Sequence, residues 1–283
     1  MKTIFFLAII FFFYYSCTSN PFWDDGTKLE ENLSGKIIPE NMISNTRTFV
    51  WLEGHNIHTY TNGEGEFKII LNTSSDKISG PLNIYFFIHN YLLDSVTVNF
   101  TNGRLSSNQS HIDSNGNLLE IVYLKKILSC SSMLQTDLNI LESEKTSIEY
   151  SIKVHKPADI SIYKFQMGDS INSNSGLIFH NNDDASLTLH RFSMVNEDGF
   201  LIRDQFFPHS FEISEELTWT YLIDSNQLSL SAGEYEVYPY FKIEHQYLPI
   251  GLVEALGGTA VFEFNEYYLD LPSDVQAARL FIN

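Results

Sequence analysis

Residues 59–71 read Thr59-Tyr60-Thr61-Asn62-Gly63-Glu64-Gly65-Glu66-Phe67-Lys68-Ile69-Ile70-Leu71, and this stretch decides the fold class. Phe67, Ile69 and Leu71 alternate with Glu66 and Lys68, the period of a strand buried on one face. Asn62-Gly63-Glu64-Gly65 in front of it is a turn, because Asn-Gly supplies the positive φ angles that a tight hairpin needs. Working outward, Leu33–Ile38, Thr48–Glu53 (closed by Gly54) and His58–Thr61 are candidate strands on the N-terminal side. On the C-terminal side Leu82–Ile88 is nearly all apolar, and Ser95–Phe100 alternates cleanly before a turn at Asn102-Gly103. Asn115-Gly116 marks a further hairpin ahead of Leu118–Leu124. Turn signals at this spacing, roughly 8–12 residues, belong to a β-sandwich.

The second half continues in the same period. Thr146–Val154, Ser186–Phe192 and Leu217–Leu222 alternate, and Gly233–Ile243 and Thr259–Leu269 are further strands. Pro239 cannot donate to a ladder, so its strand is bulged or at an edge there. Ser129–Glu144 has weak helical or loop character. Helices are expected at Ile250–Leu256 and at Pro272–Leu280, where Pro272 and Ser273 precede Asp274 and Val275, Ala278 and Arg279 follow at helical spacing. The expectation is an all-β chain of two β-sandwich domains, residues 33–128 and 129–283, preceded by a segment 1–16 and a polar tether 17–32 in which Phe22-Trp23 is a docking point.

Composition narrows the partners. The chain has 283 residues and a net charge of −18, which argues against nucleic acid because phosphates repel such a surface. Two cysteines cannot build a disulfide scaffold. At 43% hydrophobic residues the sequence has enough apolar side chains for a packed core.

Residues 1–16 read MKTIFFLAIIFFFYYS. Lys2 is followed by an unbroken apolar run from Ile4 to Tyr15, too short for a spanning helix of about 20 residues but suited to the core of a secretory signal. The run ends in Tyr14-Tyr15-Ser16-Cys17 and then turns polar. This resembles the signal and lipobox of bacterial lipoproteins, with small Ser16 before the cysteine and Tyr14 departing from the usual leucine. The resemblance implies lipidation of Cys17, a membrane partner reached through that N-terminal anchor, and, from Thr18 at the second mature position, the outer rather than the inner membrane. A multiply acylated cysteine tethers a body stably without inserting it. Cleavage after Ser16 removes one lysine and no acid, so the balance moves from −18 to −19. Cys130 is then left without an intramolecular partner and is expected to be a small buried residue near a strand end.

Residues 33–128 resemble the carboxypeptidase regulatory-like, transthyretin-like domain. The resemblance rests on Gly35-Lys36-Ile37, on Phe49-Val50-Trp51-Leu52 with Gly54, and above all on Thr59–Ile69. It implies a seven-stranded prealbumin-like sandwich without catalytic residues of its own. The second domain resembles an immunoglobulin-like sandwich through Leu230-Ser231-Ala232-Gly233-Glu234-Tyr235. That arrangement implies a tyrosine corner, with the Tyr235 hydroxyl bonded back to the preceding loop.

Motifs with chemistry are scarce. No HExxH, G-x-S-x-G, Walker A or Rossmann run is present. His55 and His58 are three apart and would face opposite sides of a strand, which suits chelation poorly. Asp183-Asp184 lacks the alternating carboxylates of a calcium loop, and Glu215-Glu216 sits beside a turn. No catalytic, metal or cofactor residue is assigned. The aromatics Trp51, Trp219, Tyr238 and Tyr240, with Tyr235, Tyr267 and Tyr268 nearby in sequence, form a candidate platform for stacking a sugar, or else core and cross-strand pairs. The sequence therefore describes a non-catalytic cell-envelope lipoprotein, a structural or adhesive binding module displayed on a membrane surface with a protein or glycan ligand. The alternatives are a glycan-binding accessory lipoprotein of a polysaccharide-uptake system, a subunit of an envelope or secretion assembly, and an unrecognised hydrolase.

Overall fold

The computed structural model describes residues 31–282 apart from 56, 72–78, 107–108, 135–138, 141–144, 157, 168–169, 175, 191–204, 212–215, 225–227, 229 and 246. The leader 1–16, Cys17 and the first part of the tether lie outside the described residues.

The chain is all-β and is built as sandwiches. The first comprises β1 (Glu31–Pro39), β2 (Phe49–Leu52), β3 (Ile57–Tyr60), β4 (Glu66–Leu71), β5 (Gly80–Phe87), β6 (Asp94–Thr101), β7 (Arg104–Leu105) and β8 (Val122–Leu124). One sheet has the order β4-β1-β8 and the other β3-β2-β5-β6-β7. Their facing sides supply one core: Leu33, Ile37, Phe67, Ile69, Leu71 and Leu124 from the first sheet, Val50, Leu52, Ile84, Phe86, Val98 and Phe100 from the second. The alternation read in Glu66–Leu71 is present residue by residue, with Phe67, Ile69 and Leu71 buried and Glu66, Lys68 and Ile70 exposed. Burying such side chains is the dominant favourable term, about 1.5–3 kcal/mol each.

The turn at 62–65 differs from expectation in an informative way. β3 pairs with β2 and β4 pairs with β1, so the turn is a corner between opposite sheets rather than a hairpin. Asn62 acts as a cap, its Oδ1 accepting from the N–H groups of Glu64 and Glu66. The positive φ of this turn falls on Gly65, at 80°, a conformation that glycine tolerates. A Cβ there would overlap the Ile37 carbonyl, which accepts no side chain so close. By contrast Asn102 and Gly103, with φ 52° and 77°, form the tight β6–β7 connection that the sequence announces.

The second sandwich comprises β9 (Leu128–Leu134), β10 (Asn139–Ile140), β11 (Lys145–Val154), β12 (Ala158–Met167), β13 (Ser170–Asn174), β14 (Leu177–Asn181), β15 (Leu187–His190), β16 (Gln205–Phe211), β17 (Glu216–Asp224), β18 (Gly233–Pro239), β19 (Lys242–Ile243) and β20 (Ala278–Ile282). A three-stranded sheet β17-β11-β9 faces a five-stranded sheet β10-β20-β18-β14-β15. Cys130, Ile148, Tyr150, Ile152 and Tyr221 meet Leu177, Phe179, Tyr235, Val237 and Leu280 in its core. A further sheet, β13-β12-β16, is joined by β19. Pro239 is the last residue of β18, where a missing donor costs least.

Three expectations fail here, each for a local reason. The described start of Ser129–Glu144 is not helical: Leu128–Leu134 pairs along β11, and its run of small polar residues hides the strand in the sequence. Thr259–Leu269 is not a strand but two 3-10 turns, Thr259–Phe262 and Glu266–Asp270. Asn265 imposes this, accepting from Tyr267 N–H and donating to the Ala260 carbonyl. Pro272–Leu280 is not a helix: Asn90 takes both backbone groups of Asp274, its Oδ1 accepting the N–H and its Nδ2 donating to the C=O. That segment therefore stays extended until β20 joins β18. The helix α1 (Ile250–Ala255) forms where expected. Among the described residues no helix is long and apolar enough to cross a membrane.

Candidate functional site

The candidate site is the junction of the two sandwiches, where a third apolar cluster unites residues from both. Phe49, Trp51 and Phe87 of the first pack with Ile178, Tyr240, Leu252, Phe262 and Tyr268 of the second. Trp51 is 4% exposed and lies against α1, where a Cβ on Gly251 would come within 2.7 Å of its ring. Glycine at 251 is thus what allows the helix to approach the indole.

Two buried polar clusters reinforce this contact. In the first, Lys126 Nζ and Asp274 Oδ2 stand 2.6 Å apart, with side chains 1% and 0% exposed. An isolated charge in such a place would be prohibitive, so every remaining lone pair and proton needs a partner. Asp274 accepts from the backbone N–H groups of Ile43 (3.0 Å) and Ser44 (2.7 Å) and from the Tyr91 hydroxyl (2.8 Å). Lys126 donates to the Asn41 carbonyl and lies 5.2 Å from the centroid of the Tyr91 ring. Burial, followed by the Asp274 carboxylate, pushes the Tyr91 phenol well up, so it remains a donor. Loop 40–44, Tyr91 and Lys126 of the first sandwich are thereby tied to one carboxylate of the second.

The other cluster is neutral. His89, fully buried, stacks on Phe241 at 5.7 Å and lies 5.6 Å from the ring of His245. His245 Nε2 is 2.7 Å from the His89 carbonyl, so that nitrogen carries the proton. Burial, then the neighbouring His245, holds His89 down to about 3, and burial holds His245 down to about 4. His89 Nδ1 has no hydrogen-bond partner.

Beside these clusters is a cavity of about 540 Å3 with walls from both sandwiches. Arg47 and Tyr60 line it from the first, and Tyr238, Tyr268, Asp270 and Ser273 from the second. Its rim is held by the same carboxylate that anchors Ser44, and Thr46 Oγ1 donates to the Ser273 carbonyl at 2.7 Å. Tyr60 is 43% exposed. Burial, and after it the Asp270 carboxylate, raises its phenol, and both residues line the cavity.

Two residues of the candidate aromatic platform offer no exposed face. Trp51 and Tyr240 are buried at 4% and 1% exposure, and the Tyr240 hydroxyl donates to the Phe262 carbonyl. Tyr235 and Tyr268 are core residues as well. Trp219 pairs through its backbone with Tyr150, and its side chain lies outside the described residues. Tyr238 lines the cavity, its hydroxyl donating to Glu236 at 2.7 Å. The missing partner, Tyr60, sits inside the Thr59–Ile69 run, where its role as a strand residue masked its position at the junction. The tyrosine corner is present, with the Tyr235 hydroxyl donating to the Ser231 carbonyl at 2.9 Å. Cys130 is free and fully buried in β9, and burial pushes its thiol up, so it packs as a small apolar residue. Among the described residues no group of three or more His, Cys, Asp and Glu side chains is placed to hold a metal ion. His58 stacks on Phe49 instead.

No protein family matches the chain, and no curated protein is detectably similar to it. Two solved structures share part of its layout at low similarity. The Bacillus anthracis TIE protein is 9% identical over 77% of this chain and 45% of its own, with a TM-score of 0.23. The full-length major pilin SpaD from Corynebacterium diphtheriae is 8% identical over 90% of this chain and 64% of its own, with a TM-score of 0.29. The chain thus spans less than two thirds of the length of either.

Proposed function

We propose that the protein is a non-catalytic structural or adhesive module of the cell envelope, lipid-anchored through Cys17 and displayed as one rigid unit on the membrane surface. The observation that carries this reading is the run Lys2–Cys17, an export signal ending at an acylatable cysteine, ahead of two sandwiches fused at a shared core. A prealbumin-like first module and an immunoglobulin-like second module are rigid scaffolds, and their loops and edges are where a partner is met. Thr18 after the cysteine favours the outer membrane. The acidic balance of −18 keeps the body off anionic headgroups, so the acyl chains make the attachment.

The test is metabolic labelling with radioactive palmitate in a bacterial host expressing the full chain or Cys17→Ala. Label on the wild type that disappears in Cys17→Ala is the expected result. A wild-type chain that is exported yet carries no label overturns the anchor.

A further inference from the structure

We propose that the cavity between the sandwiches is a binding site for a short neutral saccharide, gripped between Tyr60 and Tyr238 and hydrogen-bonded by Arg47 and Asp270. The volume, about 540 Å3, falls within the roughly 300–1,000 Å3 of small-molecule sites, and sites at the junction of two domains are common.

The charges decide the ligand class. Arg47 and Asp270 line the same cavity from opposite modules, yet they are not within ion-pair distance. Both are exposed. A cation entering here meets Arg47, and an anion meets Asp270 as well as a chain of net charge −18. Hydroxyl groups satisfy both, since each can accept from a guanidinium and donate to a carboxylate. Ser273 Oγ, buried and without a partner, adds a third polar atom on the same wall.

The rings are held ready. Phe49 meets Tyr60 edge-on at 5.1 Å, and Glu236 fixes the Tyr238 hydroxyl. Aromatic rings so fixed offer apolar faces to the C–H side of a pyranose at little cost in ordering. The loop that carries Arg47 is tied down through Ser44 and Thr46, so the cavity needs no rearrangement to receive a ligand.

The inference goes beyond the anchored-module reading and fails separately from it, because palmitate labelling does not depend on the cavity. The experiment is isothermal titration of the full-length detergent-solubilised protein with maltotriose, cellotriose, mannotriose and triacetylchitotriose, and with trigalacturonate as the anionic comparison. At least one neutral trimer binds, and more tightly than trigalacturonate. Tyr60→Ala and Arg47→Gln, both at exposed positions, weaken that binding about tenfold in protein that still unfolds in a cooperative transition, and Arg47→Gln does so with an unchanged thermal midpoint. Tyr238→Ala does the same if it folds. Absence of binding by every neutral trimer, preference for trigalacturonate, or binding indifferent to both Tyr60→Ala and Arg47→Gln overturns the proposal.

Discussion

The two polar clusters at the junction solve the same problem in opposite ways. Lys126 and Asp274 are buried as charges, and each is fully partnered, by backbone N–H groups, a phenol and a carbonyl. His89 and His245 are buried as neutral rings among Phe241, Phe262 and Tyr268, where burial outweighs the pull of the neighbouring Glu244 carboxylate on His245. The first arrangement is costly to break by mutation, because removing one partner strands the other. The second is sensitive to acid, because protonation puts charge on buried rings whose desolvation outweighs what their neighbours return. The difference teaches that burial alone does not set the response of a titratable group; its partners do.

The largest expected effect comes from breaking the charged cluster. Asp274→Ala leaves Lys126 buried and unpaired and frees Ile43 and Ser44 N–H, for a loss of about 3–5 kcal/mol in urea unfolding. Lys126→Met combined with Asp274→Asn costs less than the two single changes added together; strict additivity would show that the pair is not coupled.

Next comes the neutral cluster. Both histidines have folded values below the ordinary 6.5, so the unfolded chain binds more protons in the window between. Their contribution is fully present above about pH 6.5 and is lost as pH falls through about 4 and then 3. For His245 alone the loss is about 3 kcal/mol, measured as the fall in unfolding free energy on acidification. His89→Phe flattens this limb, and an unaltered limb would show that the ring does not titrate on unfolding.

Gly251→Ala is smaller. It drives a Cβ into the Trp51 ring and costs about 1–3 kcal/mol in thermal unfolding. Tyr235→Phe, remote from the junction, removes the hydrogen bonds of its hydroxyl to Ser231 and to Asn181 Nδ2 and costs about 1–2 kcal/mol. A larger loss would mean that the corner supports more than its own loop.

These clusters also mark where the sequence ceases to be legible. Strands announce themselves by alternation, as Glu66–Leu71 and Lys145–Val154 do, and the Leu230–Tyr235 spacing announces the Tyr235 corner. Asp274 does not, because its partners lie 148 to 231 positions away, from Lys126 back to Ile43, and no local period records them. Its demands then override local preference, so Pro272–Leu280 is extended where its spacing suggests a helix. Asn265 likewise turns Thr259–Leu269 away from the strand that its aromatics favour. Of the candidate platform, Trp51 and Tyr240 were drawn inward by the junction core, and Tyr60 took the place beside Tyr238. Composition could not separate a buried aromatic from one lining a cavity, since both occupy alternating strand positions.

The junction core joins the two sandwiches into one unit. Scanning calorimetry of the full-length protein at neutral pH tests it most directly. The account predicts one transition, with calorimetric and van't Hoff enthalpies equal, that splits in two in Asp274→Ala. Two separate transitions in the wild type would contradict it.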